Sequence, residues 1–284
     1  MQEKVSEAMR GSVIVAAGIA MLFGSLPDAY AADRPAAHHP AYKMTTKYRV
    51  YWLGLPVFKG SVTGRALGGH YSLAFQTEAT GILRVIRRSR INASAEGTIE
   101  PERYRAIRYQ LRAKWREKRR SIDMTFQPDG SFQLAVSPPE RDKREPVPRP
   151  VAAAAFDPLT ALLHSTTVPL DTPACSLTVP IFDGRRRFDV RLEPAGTDRL
   201  KKLVSPLLDH ETVKCRIHVR RIAGFTKKEI KNMDKAKDRH AIIWVSKLRR
   251  LKMWMPVRFF YMSRWGPATG EVVGIDIAPL TRTD

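Results

Sequence analysis

Residues 175–192 read CSLTVPIFDGRRRFDVRL, and their alternation decides the fold. Cys175, Leu177, Val179 and Ile181 share one phase of a two-residue period, Asp183-Gly184 turns the chain, and Phe188, Val190 and Leu192 return in phase. Because side chains alternate across a strand, this pattern buries one face of an antiparallel hairpin and leaves the other to water.

The same period recurs outward in both directions. Upstream, Thr46, Tyr48, Val50 and Trp52 alternate, Gly54 to Gly60 turns, and Ser61 to Ala66 forms a partner strand. Gly68-Gly69 precedes a further strand with Tyr71, Leu73, Phe75 and Thr77, whereas Ile82 to Ile91 fits a short helix and an irregular strand equally well. Tyr109, Leu111, Ala113 and Trp115 lie opposite a cationic row, and Ile122, Met124 and Phe126 are joined through Pro128-Asp129-Gly130 to Phe132, Leu134 and Val136. Residues 137–150, SPPERDKREPVPRP, predict a surface loop. FDPLTALL, residues 156–163, predicts a short helix with Asp157 as its cap and Pro158 in its first turn, packed on one side of the sheet. Downstream, Val213, Cys215, Ile217 and Val219 form a strand, a basic stretch follows Gly224, and the last strands hold Ile242 and Trp244, Trp254 to Met262, and Val272 to Ile277. About ten strands with little crossover helix predict a mostly β fold. Its form is one large curved antiparallel sheet or half-open barrel, with one or two short helices, in a single domain over residues 43–284.

The first 31 residues predict a cleaved signal peptide. Lys4 and Arg10 precede an apolar, charge-free run from Gly11 to Leu26, and Ala29-Tyr30-Ala31 offers a cleavage site after Ala31. Glu3 and Glu7 sit poorly in a basic leader, which makes Met9 an alternative start. The run is shorter than the ~20 apolar residues of a membrane span. Residues 32–42 are small and Pro-interrupted and read as a flexible tether. His38 and His39 there have no companion ligands, so no metal is expected.

Charge bounds the partners. Taking Lys4 and Arg10, and Glu3, Glu7 and Asp28, from 49 basic and 28 acidic residues leaves 47 and 25, a net +22. Such a polycation attracts any polyanion. Export to the periplasm removes nucleic acid and leaves an anionic envelope lipid or polysaccharide, or an envelope protein. The excess is sharpest at Arg105 to Arg120, where Arg108, Arg112, Lys114 and Arg116 share the outer phase of a strand and form a candidate anion-binding ladder. A solvated face that discourages edge pairing is the alternative.

Catalytic and cofactor signatures are not found. The sequence contains no G-x-S-x-G, H-E-x-x-H, Walker loop or C-x-x-C, and His164, His210, His218 and His240 are scattered singly. No catalytic residue, cofactor or metal ligand is therefore assigned. Cys175 and Cys215 are the two cysteines, both on apolar phases, and an oxidising compartment predicts a disulfide between them, with two buried thiols as the alternative.

Four segments in order resemble one known family: Tyr48, Val50, Trp52 and Gly54 as YxVxWxG; FDPLTALL; VPIFDGRRRFDV; and the late PVRFF, residues 256–260. Together they resemble the exported domain-of-unknown-function family numbered 3108, across most of the chain after the leader. The resemblance implies a secreted or periplasmic β-rich domain, similar in architecture to curved-sheet carriers of lipids or lipoproteins, and brings no activity with it. The expected function is a non-catalytic binding or carrier module for an anionic or amphipathic envelope component. A hydrolase of an envelope polymer and a structural partner in an envelope protein complex are the alternatives.

Overall fold

The structure, a computed structural model, describes residues 41–280 except 87, 102, 140–143, 203 and 237–238. The leader and the tether through residue 40, with His38 and His39, lie outside the described residues. Thirteen strands follow in chain order: β1 (Tyr42–Trp52), β2 (Leu55–Leu67), β3 (His70–Ala79), β4 (Ser89–Ile99), β5 (Tyr104–Trp115), β6 (Lys118–Phe126) and β7 (Phe132–Ser137), then β8 (Thr178–Phe182), β9 (Arg187–Arg199), β10 (Leu208–Ala223), β11 (Ala241–Leu248), β12 (Met253–Ser263) and β13 (Gly266–Pro279). The described helices are short: α1 (Gly81–Ile86), α2 (Arg149–Ala153), α3 (Pro158–Thr166) and α4 (Lys227–Asp234).

All strands join one antiparallel sheet in the order β7-β6-β5-β4-β3-β2-β1-β13-β12-β11-β10-β9-β8. Every neighbour is a sequence neighbour except at the centre, where β1 pairs with β13, Thr46 opposite Ile275. The sheet curls without closing its ladder into a barrel. Its edges β7 and β8 approach through side chains: the Phe132 and Phe182 rings lie 5.7 Å apart, and the Arg185 guanidinium donates to the Pro138 carbonyl at 3.0 Å. Gly184, at φ +85°, permits this approach, because a Cβ there would fall 2.5 Å from Ile122 Cγ2.

The helix FDPLTALL forms as its residues dictate. Buried Asp157 accepts from the Leu159 and Thr160 amides at 2.9 and 3.0 Å, and Pro158 opens the first turn. The helix lies in the concavity between two cores. Ala161 belongs to one with Val179, Ile181, Val190, Ile243, Trp254 and Phe259; Leu159 belongs to the other with Tyr71, Tyr109, Met124 and Phe182.

Several expectations are refined. Ile82 to Ile91 splits into α1 and the start of β4, whose inward row Ser89, Ile91, Ala93, Ala95 and Gly97 is mostly too small to signal a strand. The turn expected from Gly54 to Gly60 shrinks to Leu53-Gly54, since Trp52 already pairs with Leu55. Helix α2 starts within the loop expected through Pro150, and Arg144 of that loop turns inward to bind Glu229 at 2.9 and 3.2 Å. The basic stretch after Gly224 forms α4, capped by Thr226 and Glu229 in a reciprocal box.

One departure from a regular sheet positions the cavity. Arg258–Ser263 of β12 pair with Gly266–Glu271 of β13, but beyond that the two strands part: Met253–Pro256 pair with β11 alone, and Val272–Pro279 pair with β1 alone. The sheet forks there.

Candidate functional site

A cavity of about 1080 Å³ occupies the fork and the concave face beside it. One wall is the inward row of β1, Met44, Thr46 and Tyr48. The next is the inward row of β2, Val62, Gly64 and Ala66, whose small side chains leave the space unfilled. Tyr71 and Leu73 of β3 continue it, Leu162, Leu163 and Thr166 of α3 close one side, and Leu251, Met253 and Met255 form the other arm of the fork.

The few polar atoms in this wall are neutral. The Tyr48 phenol donates to the Pro256 carbonyl at 3.3 Å across the fork, and burial pushes its pKa up. Tyr71 Oη lies 2.7 Å from Thr160 Oγ1, which donates to Asp157 Oδ2 at 2.5 Å, so Tyr71 is the donor in the first bond. Desolvation pushes Asp157 up to about 6, against the bonds it accepts from Thr160 and Leu159. Desolvation, with the nearby Asp157 charge, also pushes Tyr71 up. Thr46 is 1% exposed, and its Oγ1 has no hydrogen-bond partner among the described residues. A buried hydroxyl without a partner is uncommon in a native fold.

The mouth is cationic. Arg65, Arg103, Arg250 and Lys252 stand around it with Glu100 and Asp171. Glu100 is held by Arg103 at 2.9 Å and Arg105 at 2.7 Å, which lowers its pKa, the Arg103 hydrogen bond contributing most. Arg65, Arg250 and Lys252 have no ion pair among the described residues.

The four ladder residues occupy two settings. Arg108 and Arg112 lie on the outer face of β5, where Arg112 and Gln110 both donate to Asp123 Oδ1 at 2.7 Å. The Arg112 hydrogen bond is the largest cause holding Asp123 below the usual carboxylate range. Lys114 and Arg116 lie at the far end of the strand, Arg116 in the β5–β6 turn at φ +51°. There they meet Arg84, Arg88, Arg90 and Arg119, cations scattered from position 84 to position 119 and gathered by the meander.

Cys175 and Cys215 form a disulfide with Cα atoms 5.4 Å apart. Cys175 lies in the turn before β8 and not in the strand itself, so the bond ties the segment after α3 to β10 within the first core. Among the described residues no three His, Cys, Asp or Glu side chains gather as a metal site. The scattered histidines have local neighbours: His164 stacks on Phe156 at 4.9 Å, His210 Nδ1 meets the Leu200 carbonyl at 3.0 Å, and His218 Nε2 meets Glu193 at 2.7 Å.

Among solved structures the fold is similar to a β-barrel-like protein of domain of unknown function DUF1849 from Brucella abortus. The TM-score is 0.50 at 9% identity, covering 85% of this chain and 99% of that one. A candidate lipoprotein from Parabacteroides distasonis is also 9% identical, with a TM-score of 0.30 and 82% of this chain and 94% of that one covered. No curated protein matches the chain. Residues 47–273 match the family described as "Protein of unknown function (DUF3108)", and the chain belongs to that family.

Proposed function

We propose that the protein is an exported, non-catalytic carrier for a single amphipathic envelope molecule, whose apolar part lies in the forked cavity and whose anionic group meets Arg65, Arg250 and Lys252 at the mouth. The cavity carries this reading. Protein interiors leave few voids larger than a water molecule, and ligand sites occupy roughly 300–1,000 Å³. An opening of about 1080 Å³ walled by Met44, Leu73, Leu162 and Met255 matches an acyl chain far better than a polar substrate. The phenols of Tyr48 and Tyr71 remain protonated at neutral pH, so the wall presents no charge. The periplasm is the compartment proposed from the leader, and anionic lipid or polysaccharide is the material that a +22 chain attracts. In this reading Arg108, Arg112, Lys114 and Arg116 bind that anionic material, with Arg112 already half-committed to Asp123.

The test is lipid extraction and mass spectrometry on protein purified from its own envelope fraction, beside a Val62→Trp variant that fills the cavity from β2. The expected result is an acyl-bearing amphiphile on the wild type, depleted at least tenfold in the variant. An equal yield from both, or no amphiphile on either, overturns the carrier reading.

A further inference from the structure

The end of the sheet opposite the cavity mouth has its own chemistry. Strand β5 spans 12 residues, so the two ends are separated by roughly 40 Å. Of the large apolar side chains, the three most exposed among the described residues are Val85 at 85%, Leu55 at 58% and Leu53 at 56%; the next is 45%. All three lie at this end. Leu53 and Leu55 flank the tip of the β1–β2 hairpin, and Val85 is on α1, which packs beside them: the Thr80 amide donates to the Val57 carbonyl at 2.9 Å, and Leu83 is buried with Val57 and Ala79. Scattered exposed apolar residues are ordinary, whereas clustering of the most exposed ones is not. Leu53 is also unusual for its backbone. It holds φ +50° in a two-residue turn where Asn or Gly is the usual occupant.

The cations gathered by the meander surround these tips. Arg84, Arg88, Arg90, Lys114 and Arg119 line a cleft of about 800 Å³, and Arg116 lies at the adjoining turn. Glu78, the acid in the cleft, is already bound by Lys59 at 2.9 Å and Arg90 at 3.0 Å, and the hydrogen bond from Lys59 is the largest cause lowering its pKa. Arg84, Arg88, Lys114 and Arg119 have no ion pair among the described residues.

We propose that this end is a membrane-docking surface for an anionic lipid leaflet. Leu53, Leu55 and Val85 enter the boundary between headgroups and acyl chains, and the surrounding arginines and Lys114 hold lipid phosphates. A soluble polyanion would engage the cations and leave the apolar tips in water, so the combination favours a bilayer. Docking this end points the cavity mouth away from the leaflet, toward the aqueous space. The inference rests on the anion-binding part of the proposed function, which shares Lys114 and Arg116, and not on the cargo of the cavity.

The experiment uses protein purified from its own envelope, with every variant carrying the same N-terminus so that residues before 41 contribute equally. Flotation with phosphatidylcholine vesicles, with and without phosphatidylglycerol, is measured at 0.1 M and 1 M salt, where the Debye length falls from about 10 to about 3 Å. Wild type is expected to float with the anionic vesicles. Changing Arg84, Arg88, Lys114 and Arg119 together to Gln lowers low-salt partitioning by about 600-fold, since each basic group near the surface contributes about fivefold. Changing Leu53, Leu55 and Val85 to Ser spares low-salt attraction and removes the salt-resistant part. Changing Lys201 and Lys202 to Gln, exposed between β9 and β10 at the other end and outside the cavity wall, leaves flotation unchanged. Because both native cysteines are in the disulfide, Leu53→Cys and Lys252→Cys can each carry one environment-sensitive dye. The dye at position 53 shifts to the blue on anionic vesicles, and the dye at 252 does not. Absence of wild-type flotation, capture of a soluble anionic polysaccharide without vesicle binding, or a blue shift at 252 alone overturns the proposal. Circular dichroism on each variant separates a lost surface from a lost fold.

Discussion

The two halves of the sheet use the same alternating pattern to opposite ends. From β8 to β12 the inward rows carry Val179, Ile181, Val190, Leu192, Ile243, Trp254 and Phe259, packed with a disulfide. On β1 the inward row carries Met44, Thr46 and Tyr48, on β2 the small Val62, Gly64 and Ala66, and the space before them is open. A period of two therefore specifies which face is turned inward but not whether that face is filled. Side-chain volume decides the second question, because native interiors tolerate neither voids nor overlap without cost. One half reads as scaffold and the other as receptacle.

Four predictions sharpen or break that contrast. The largest effect is expected in the scaffold: replacing Cys175 and Cys215 together by Ser lowers unfolding stability by about 4 kcal/mol for a separation of 40 residues, measured by denaturant titration. A change below about 1 kcal/mol would mean that the packed half does not depend on its staple.

The second concerns the helix between the halves. Asp157 has a folded pKa of about 6, raised by burial above its ordinary value of 3.8. Its linkage contribution is therefore fully present below pH ~4 and is lost as pH rises through ~6, a difference of about 3 kcal/mol at most. Asp157→Asn retains a capping oxygen and should flatten this part of the stability profile, while Asp157→Ala loses a further 1 kcal/mol or so at every pH. A wild-type profile that rises from pH 4 to 7 and is unchanged in the Asn variant would refute the assignment.

The third places the same residue in both halves. Val179→Trp, at a fully buried position, should cost about 2 kcal/mol through overpacking, whereas Val62→Trp should stay within about 1 kcal/mol of wild type because the indole has room. Equal losses in thermal or denaturant unfolding would erase the distinction between scaffold and receptacle. The smallest effect is at Thr46. Replacing its partnerless hydroxyl by a methyl in Thr46→Val should leave the free protein unchanged or more stable by up to about 1 kcal/mol. A clear destabilisation would show that the hydroxyl is already satisfied.

Much of the fold could be read directly from residues. The hairpin at 175–192, the Pro128-Asp129-Gly130 turn and the capped helix at 158 each combine a periodic signal with turn or cap chemistry, and local signals of that kind survive into the structure. Strand β4 escaped because Ala93, Ala95 and Gly97 bury little apolar surface apiece, and α4 was obscured by its lysines although Thr226 and Glu229 already spelled a capping box. The pairing of the cysteines followed from their number, although the phase assigned to Cys175 did not hold, since it lies in a turn before β8. The cavity did not, because it depends on two arms of a fork separated by two hundred residues. Its trace in the sequence is the run of small inward residues Val62, Gly64 and Ala66, which signals a void only once the facing strands are known. The cationic ladder was legible as composition, but the pairing of Arg112 and the gathering of Lys114 and Arg116 into an end cluster depend on Asp123 and on turns that bring in Arg84 and Arg119.

The pairing of β1 with β13 has a consequence for the making of the protein. A ribosome or translocon delivers the chain from β1 onward, and hairpins from β1 to β7 and from β8 to β13 can zip as they emerge. The seam that joins them is the first strand meeting the last, in the middle of the sheet. Until residue 279 has cleared the exit, Thr45, Lys47 and their neighbours present a bare row of amides and carbonyls, open to a chaperone, a protease or another chain. A truncation that removes β13 would therefore not shorten the sheet at its margin but leave two unjoined leaves, so the two halves become one sheet only when β13 docks.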